Sequence, residues 1–147
     1  LVGRVSRVGD SVCARAFQTA VGCVDTRRGQ LAWARTANGA EGVTGDARHV
    51  IGTEWDGKVV AWRRDSGERA WTHDGLLQRG LSTPLLVGSS VALGDAFGYV
   101  HFLSREDGSL RQRMATDGSA IVAAPVLAGN TLVVVTRNGT VHGFVPE

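Results

Sequence analysis

Four times in this chain the same spacing of residues returns. The stretch "RRGQLAW" comes back as "DSGERAW", so that Gly29 and Gly67 each stand four residues before a tryptophan, Trp33 and Trp71, at a separation of 38. Ten residues ahead of these glycines stand Thr19 and Gly57, and the series continues with Gly98 and Gly139, at spacings of 38, 41 and 41 residues. Two residues beyond each anchor come Val21, Val59, Val100 and Val141; seven before each come Val12, Val50, Val91 and Leu132. Ten before each lie Gly9, Ala47, Gly88 and Gly129. Gly makes up 20 of the 147 residues, and the longest stretch free of Gly and Pro runs only from Asp10 to Val21, which leaves ordinary helices almost nowhere to fit.

A unit of about 40 residues built from short strands is the signature of a β-propeller blade. In the third unit, apolar segments about six residues long are broken by turn chemistry at Gly88-Ser89, Phe97-Gly98 and Asp107-Gly108, which predicts a meander of four antiparallel strands. The expected fold is therefore all-β, a partial propeller, with blades at approximately 1–37, 38–79, 80–119 and 120–147. The chain begins at the first strand of a unit and ends after the third strand of the last, so the fourth blade is expected to lack its outermost strand. Such an arc is expected to be incomplete as a folding unit and to seek the missing part of its propeller.

Gly57, Gly98 and Gly139 are placed at hairpin tips, where φ > 0 is needed and glycine supplies it without a Cβ clash. Thr19 breaks this rule and predicts a different turn or some strain. The Gly of each "GxxxW" turns the third strand into the fourth, and the Trp then lies on the outermost strand with its broad face toward the neighbouring blade. The third unit carries Gln112 at that position.

Little in the composition points to chemistry. The net charge is +2 with both signs interspersed, which gives no basic stripe for nucleic acid or an anionic membrane. No stretch approaches the ~20 apolar residues of a membrane helix. His101 and His142 sit three residues after successive anchors, which repetition explains without a metal, and no Cys/His/Asp set at ligand spacing accompanies them. There is no phosphate loop, no G-x-S-x-G and no HExxH. Cys13 and Cys23 fall on the two strands of one hairpin. With its tip at Gln18-Thr19, Cys13 would face Val24 on the opposite side of the sheet from Cys23, which favours two buried free thiols; a turn shifted by one residue would set the two sulfurs directly across from each other.

"CVDTRRGQLAW" (23–33) resembles the tryptophan-docking motif of the quinoprotein-like eight-bladed propellers, and "AWRRDSGERAW" (61–71) is a looser copy. The segment 76–110, with its "GDxxGY" hairpin (Gly94, Asp95, Gly98, Tyr99), and the closing "NTLVVVTRNGTVHGFVPE" resemble the C-terminal blades of the propeller lipoproteins of the outer-membrane β-barrel assembly machinery. That resemblance implies a non-catalytic, periplasmic scaffold, held to the outer membrane by an N-terminal lipid anchor outside this chain. It would bind the POTRA domains of BamA and the rest of the assembly complex, with unfolded outer-membrane proteins as further partners. Leu1, Val2, Gly3 and Arg4 are the residues it places nearest the BamA-facing surface. It implies no catalytic residue, metal or cofactor. The rival reading is a dehydrogenase holding pyrroloquinoline quinone and calcium on the same kind of propeller; many such enzymes carry an adjacent Cys-Cys pair, which is absent here. A third is a propeller module with another partner.

Overall fold

The computed structural model describes residues 2–146, and among them there are strands and turns but no helix. The chain divides into two compact units, residues 1–77 and 78–147. In the first unit, β1 (Val2–Val8), β2 (Ser11–Ala16), β3 (Ala20–Asp25) and β4 (Gln30–Thr36) form one antiparallel sheet in chain order. A second sheet is built in the same way from β5 (Thr44–Gly45), β6 (His49–Thr53), β7 (Val59–Arg63) and β8 (Arg69–His73). In the second unit, β9 (Leu85–Val87), β10 (Ser90–Gly94), β11 (Tyr99–Ser104) and β12 (Leu110–Ala115) make a four-stranded sheet, and β13 (Val126–Ala128), β14 (Thr131–Val135) and β15 (Val141–Phe144) make one of three strands.

Each sheet is a meander because its connections are short turns, which can join only antiparallel neighbours. All four second-to-third-strand hairpins share one register: Ala16 pairs with Ala20, and the Glu54, Asp95 and Thr136 amides reach the carbonyls of Lys58, Tyr99 and Thr140. Three of these loops close with glycine at positive φ, Gly57 at 99°, Gly98 at 82° and Gly139 at 87°. The first has Thr19 there, and a β-branched residue resists the left-handed region. The positive φ moves instead to Phe17 (53°) and Gln18 (63°), giving a turn with both central residues left-handed.

That turn corrects the cysteine register. Its loop is three residues, Phe17 to Thr19, rather than a two-residue tip, so Cys13 pairs directly with Cys23, their Cα atoms are 4.0 Å apart, and the two form a disulfide. The free thiols expected from the sequence are not present. The disulfide is fully buried in the core of the first unit, which also contains Val21, Trp33, Val50, Val60 and Trp62. The core of the second unit gathers Val100, Phe102, Ile121, Leu132 and Val134, with Met114 and Phe144 packed against it.

Candidate interaction surface and blade joints

A β-bulge interrupts the third-to-fourth-strand ladder at the same repeat position in three sheets, between Cys23 and Val24, Ala61 and Trp62, and Phe102 and Leu103. The residues paired just before the break are Trp33, Trp71 and Gln112. A bulge bends its strand and re-aims the side chain beside it. In the first unit the result is a joint between sheets: the Trp33 indole N–H donates to the Arg64 carbonyl at 2.7 Å, and the ring lies against Gly67. A Cβ on Gly67 would come within 2.5 Å of Trp33 Cδ2, and Gly67 itself has φ of 74°. The tryptophan of one copy therefore uses the glycine of the next.

Two buried arginines reinforce this joint, and neither stands out in the sequence. From β2, Arg15 sends its guanidinium to the carbonyls of Ala37, Glu41 and Thr53, two on the linker and one at the end of β6. Burial pulls Arg15 below its ordinary value, opposed by Glu54 and Glu41. From the second sheet, Arg64 donates to the Asp46 carbonyl at 2.8 Å, to Ser11 Oγ at 2.9 Å and to Ser6 Oγ. The available signal was period-2 alternation: Arg15 shares the buried face of its strand with Cys13.

In the second unit the polar centre is Asp95, at the end of β10 and fully buried. Its Oδ1 accepts the Phe97 and Tyr99 amides at 2.8 and 2.9 Å; its Oδ2 accepts Arg79 Nε and His101 Nε2, each at 2.7 Å. Arg113 Nε donates to His101 Nδ1 at 3.0 Å, so the imidazole proton sits on Nε2. Arg79 also stacks over the rings of Phe97 and Tyr99, 5.2 and 5.5 Å from their centroids. Burial raises Asp95, but the hydrogen bonds from His101, Tyr99, Arg79 and Phe97 outweigh it and hold the carboxyl below its usual range. Burial likewise pushes His101 down, against the pull of Asp95. Both nitrogens of His101 and both oxygens of Asp95 are thus committed to closing the "GDxxGY" hairpin, which leaves no lone pair for substrate or metal.

The remaining predicted residues are turn and joint positions. Gly29 takes φ of 66° between β3 and β4, and Tyr99 begins β11. Trp71 is buried on β8 and pairs with Ala61. Gly3 and Arg4 lie in close backbone contact with the entry to the second sheet: the Val43 amide donates to the Arg4 carbonyl at 2.9 Å, and a Cβ on Gly3 would meet Gly42 N at 2.7 Å. Leu1 lies outside the described residues, and Val2 pairs with Arg15 along β1. His142 stacks on Phe144 with ring centroids 6.3 Å apart, and among the described residues no three His, Cys, Asp or Glu side chains are grouped to hold a metal ion.

Comparison with known proteins gives this geometry a family. The model for the family described as outer membrane protein assembly factor BamB matches residues 1–73. The outer membrane protein assembly factor BamB of Burkholderia pseudomallei is 45% identical over 147 residues, all of this chain and 39% of its own length. The crystal structure of BamB from Moraxella catarrhalis superimposes with a TM-score of 0.88 at 30% identity, over 95% of this chain and 41% of that one. A quinohemoprotein alcohol dehydrogenase from Comamonas testosteroni shares the fold, with a TM-score of 0.75 over 92% of this chain and 29% of its own, but only 17% identity.

The class these observations define is the partial β-propeller of quinoprotein-like type, with antiparallel meander blades. Within that class the chain is a homologue of BamB, and it spans about two fifths of the length of the relatives it matches.

Proposed function

We propose that this chain is part of a non-catalytic scaffold that assists the assembly of β-barrel proteins into the outer membrane, docking on the POTRA domains of BamA. The observation that carries the reading is 45% identity to an outer membrane protein assembly factor, sustained over every residue of the chain. The side chains agree with it: the buried polar groups Arg15, Arg64, Asp95 and His101 are consumed by contacts within and between sheets. A periplasmic location is supported by the buried Cys13–Cys23 disulfide, since such bonds persist in oxidising compartments; a lipid anchor outside this chain rests on the likeness to BamB alone.

The dehydrogenase alternative has the shared fold behind it and nothing more. Quinone and calcium need a convergent set of carboxylate and amide ligands, and the residues present do not fit that group: Asp95 is already saturated by four donors. The test is calorimetric titration of the full-length protein with the purified POTRA domains of BamA. Saturable one-to-one binding is expected. No heat of binding, together with dye-linked alcohol oxidation in the presence of pyrroloquinoline quinone and calcium, would replace the scaffold with the enzyme.

A further inference from the structure

The Cys13–Cys23 disulfide lies where no oxidant reaches it. Cys13 is 0% and Cys23 1% exposed, and a thiol is oxidised to a disulfide by attack of its thiolate on a sulfur that has to come within bonding reach. Cys13 pairs with Cys23 and Cys23 with Trp33, so the three side chains stand on one face of the first sheet. That face is packed against Val43, Val50, Val60 and Trp62, which belong to the second sheet and the chain entering it.

The hairpin that holds both cysteines is complete at Asp25, ahead in the chain of all four residues that cover it. A hairpin forms in about 1–10 μs. Packing one sheet on another needs contacts between distant parts of the chain and is far slower, about milliseconds to seconds in small β domains. There is thus an interval in which the two thiols are already paired and still open to solvent.

The two thiols differ in their neighbours. On its own face of β2, Cys13 stands between Ser11, whose Oγ lies 3.7 Å from its Sγ, and Arg15. A hydroxyl donor and a guanidinium both favour the thiolate, which is the nucleophile. Glu41 and Glu54, which oppose Arg15 in the finished fold, lie beyond β4 and come with the linker and the second sheet. The corresponding neighbours of Cys23 on β3 are Val21, paired with Arg15, and Asp25, paired with Ser11. Neither an apolar side chain nor a carboxylate stabilises a thiolate.

We propose that Cys13 and Cys23 are the substrate of an external disulfide oxidant that acts while the first sheet still lacks its cover, with Cys13 as the attacking thiolate and Cys23 as the resolving one. Cys13 Sγ bonds to one sulfur of the oxidant's disulfide and expels the other as a thiolate. Cys23 Sγ, as thiolate, then attacks Cys13 Sγ and expels the second. The chain gives up two electrons and two protons, and the oxidant's disulfide is reduced to two thiols. The second sheet then closes over the finished bond.

The test refolds reduced, full-length protein by slow removal of urea and follows the Cys13–Cys23 bond by peptide mass spectrometry, with oxidised glutathione as the oxidant. Glutathione present throughout is expected to leave the bond complete, whereas the same exposure after refolding is expected to give at least tenfold less bonded protein. Equal bonding in the two orders, with the reduced protein shown to be folded by its tryptophan fluorescence, would overturn the proposal; a reduced chain that stays unfolded until it is oxidised would uphold it. Val50 and Val91 hold the same place in the repeat and are both fully buried, but Val50 belongs to the core around the disulfide and Val91 does not. In folded, reduced protein Val50→Ala is expected to speed oxidation at least fivefold more than Val91→Ala; equal effects would deny the second sheet its part as the cover. During refolding, Cys23→Ala, which keeps Cys13, is expected to form a mixed disulfide with glutathione at least threefold faster than Cys13→Ala. Equal or reversed rates would overturn the assignment of the attacking thiol.

Discussion

The indole of Trp33 lies against the backbone of Gly67, in the neighbouring sheet, with no room for a Cβ between them. Burying a tryptophan removes about 150–250 Å² from water, worth roughly 4–6 kcal/mol at about 25 cal/mol per Å². Gly67→Ala both forces a side chain into that contact and strains a residue at positive φ, and it is expected to destabilise the protein by about 3 kcal/mol. Gly29→Ala meets no atom within 4 Å and loses only the conformational part, about 1 kcal/mol. Urea denaturation of the two variants checks this; equal losses would remove the packing role of Gly67.

The Cys13–Cys23 bond closes a short loop across one hairpin, and the chain-entropy model assigns such a loop about 3 kcal/mol. The double variant Cys13→Ala, Cys23→Ala is expected to lose about that much in denaturant. Thiol titration of protein unfolded without reductant should find neither of these cysteines reactive. Both of them titrating would restore the free-thiol assignment.

Acid should loosen the Asp95 and His101 pair in two stages. Burial holds His101 below its ordinary value in the folded chain, so the unfolded chain takes up the proton more readily, and stability falls as pH drops below about 6.5. Asp95 is also held low, so its contribution is whole above about 3.9 and is lost as pH falls through its lower folded value. Asp95→Asn removes the charged acceptor shared by Arg79 and His101 and is expected to cost about 3 kcal/mol near neutral pH. Stability profiles between pH 4 and 8 decide the point: a wild-type profile flat from pH 7 to 5 would contradict a buried neutral His101.

Much of the fold was legible because a repeat in step across four copies exposes strands and turns at once, and Gly57, Gly98 and Gly139 mark their hairpins by the one conformation that needs glycine. The first hairpin was misread because Thr19 offered no such mark. Its loop nevertheless keeps the three-residue length of the other three hairpins, and the pairing of Cys13 with Cys23 follows from that shared register. The repeat also places Trp33 on an outer strand, yet which copy's glycine it meets is a matter of sheet-to-sheet packing. Arg15 and Arg64 were hidden for a different reason: in a chain with 16 basic residues, a buried guanidinium looks like any other until the carbonyls it binds are brought together by the fold.

The proposed role in outer-membrane protein assembly is tested most directly by the β-barrel protein content of outer membranes from cells lacking the full-length protein. A fall in that content is predicted, restored by the wild-type protein and not by the variant Gly67→Trp, which wedges the Trp33 joint apart. Unchanged barrel content in the deletion strain would contradict it.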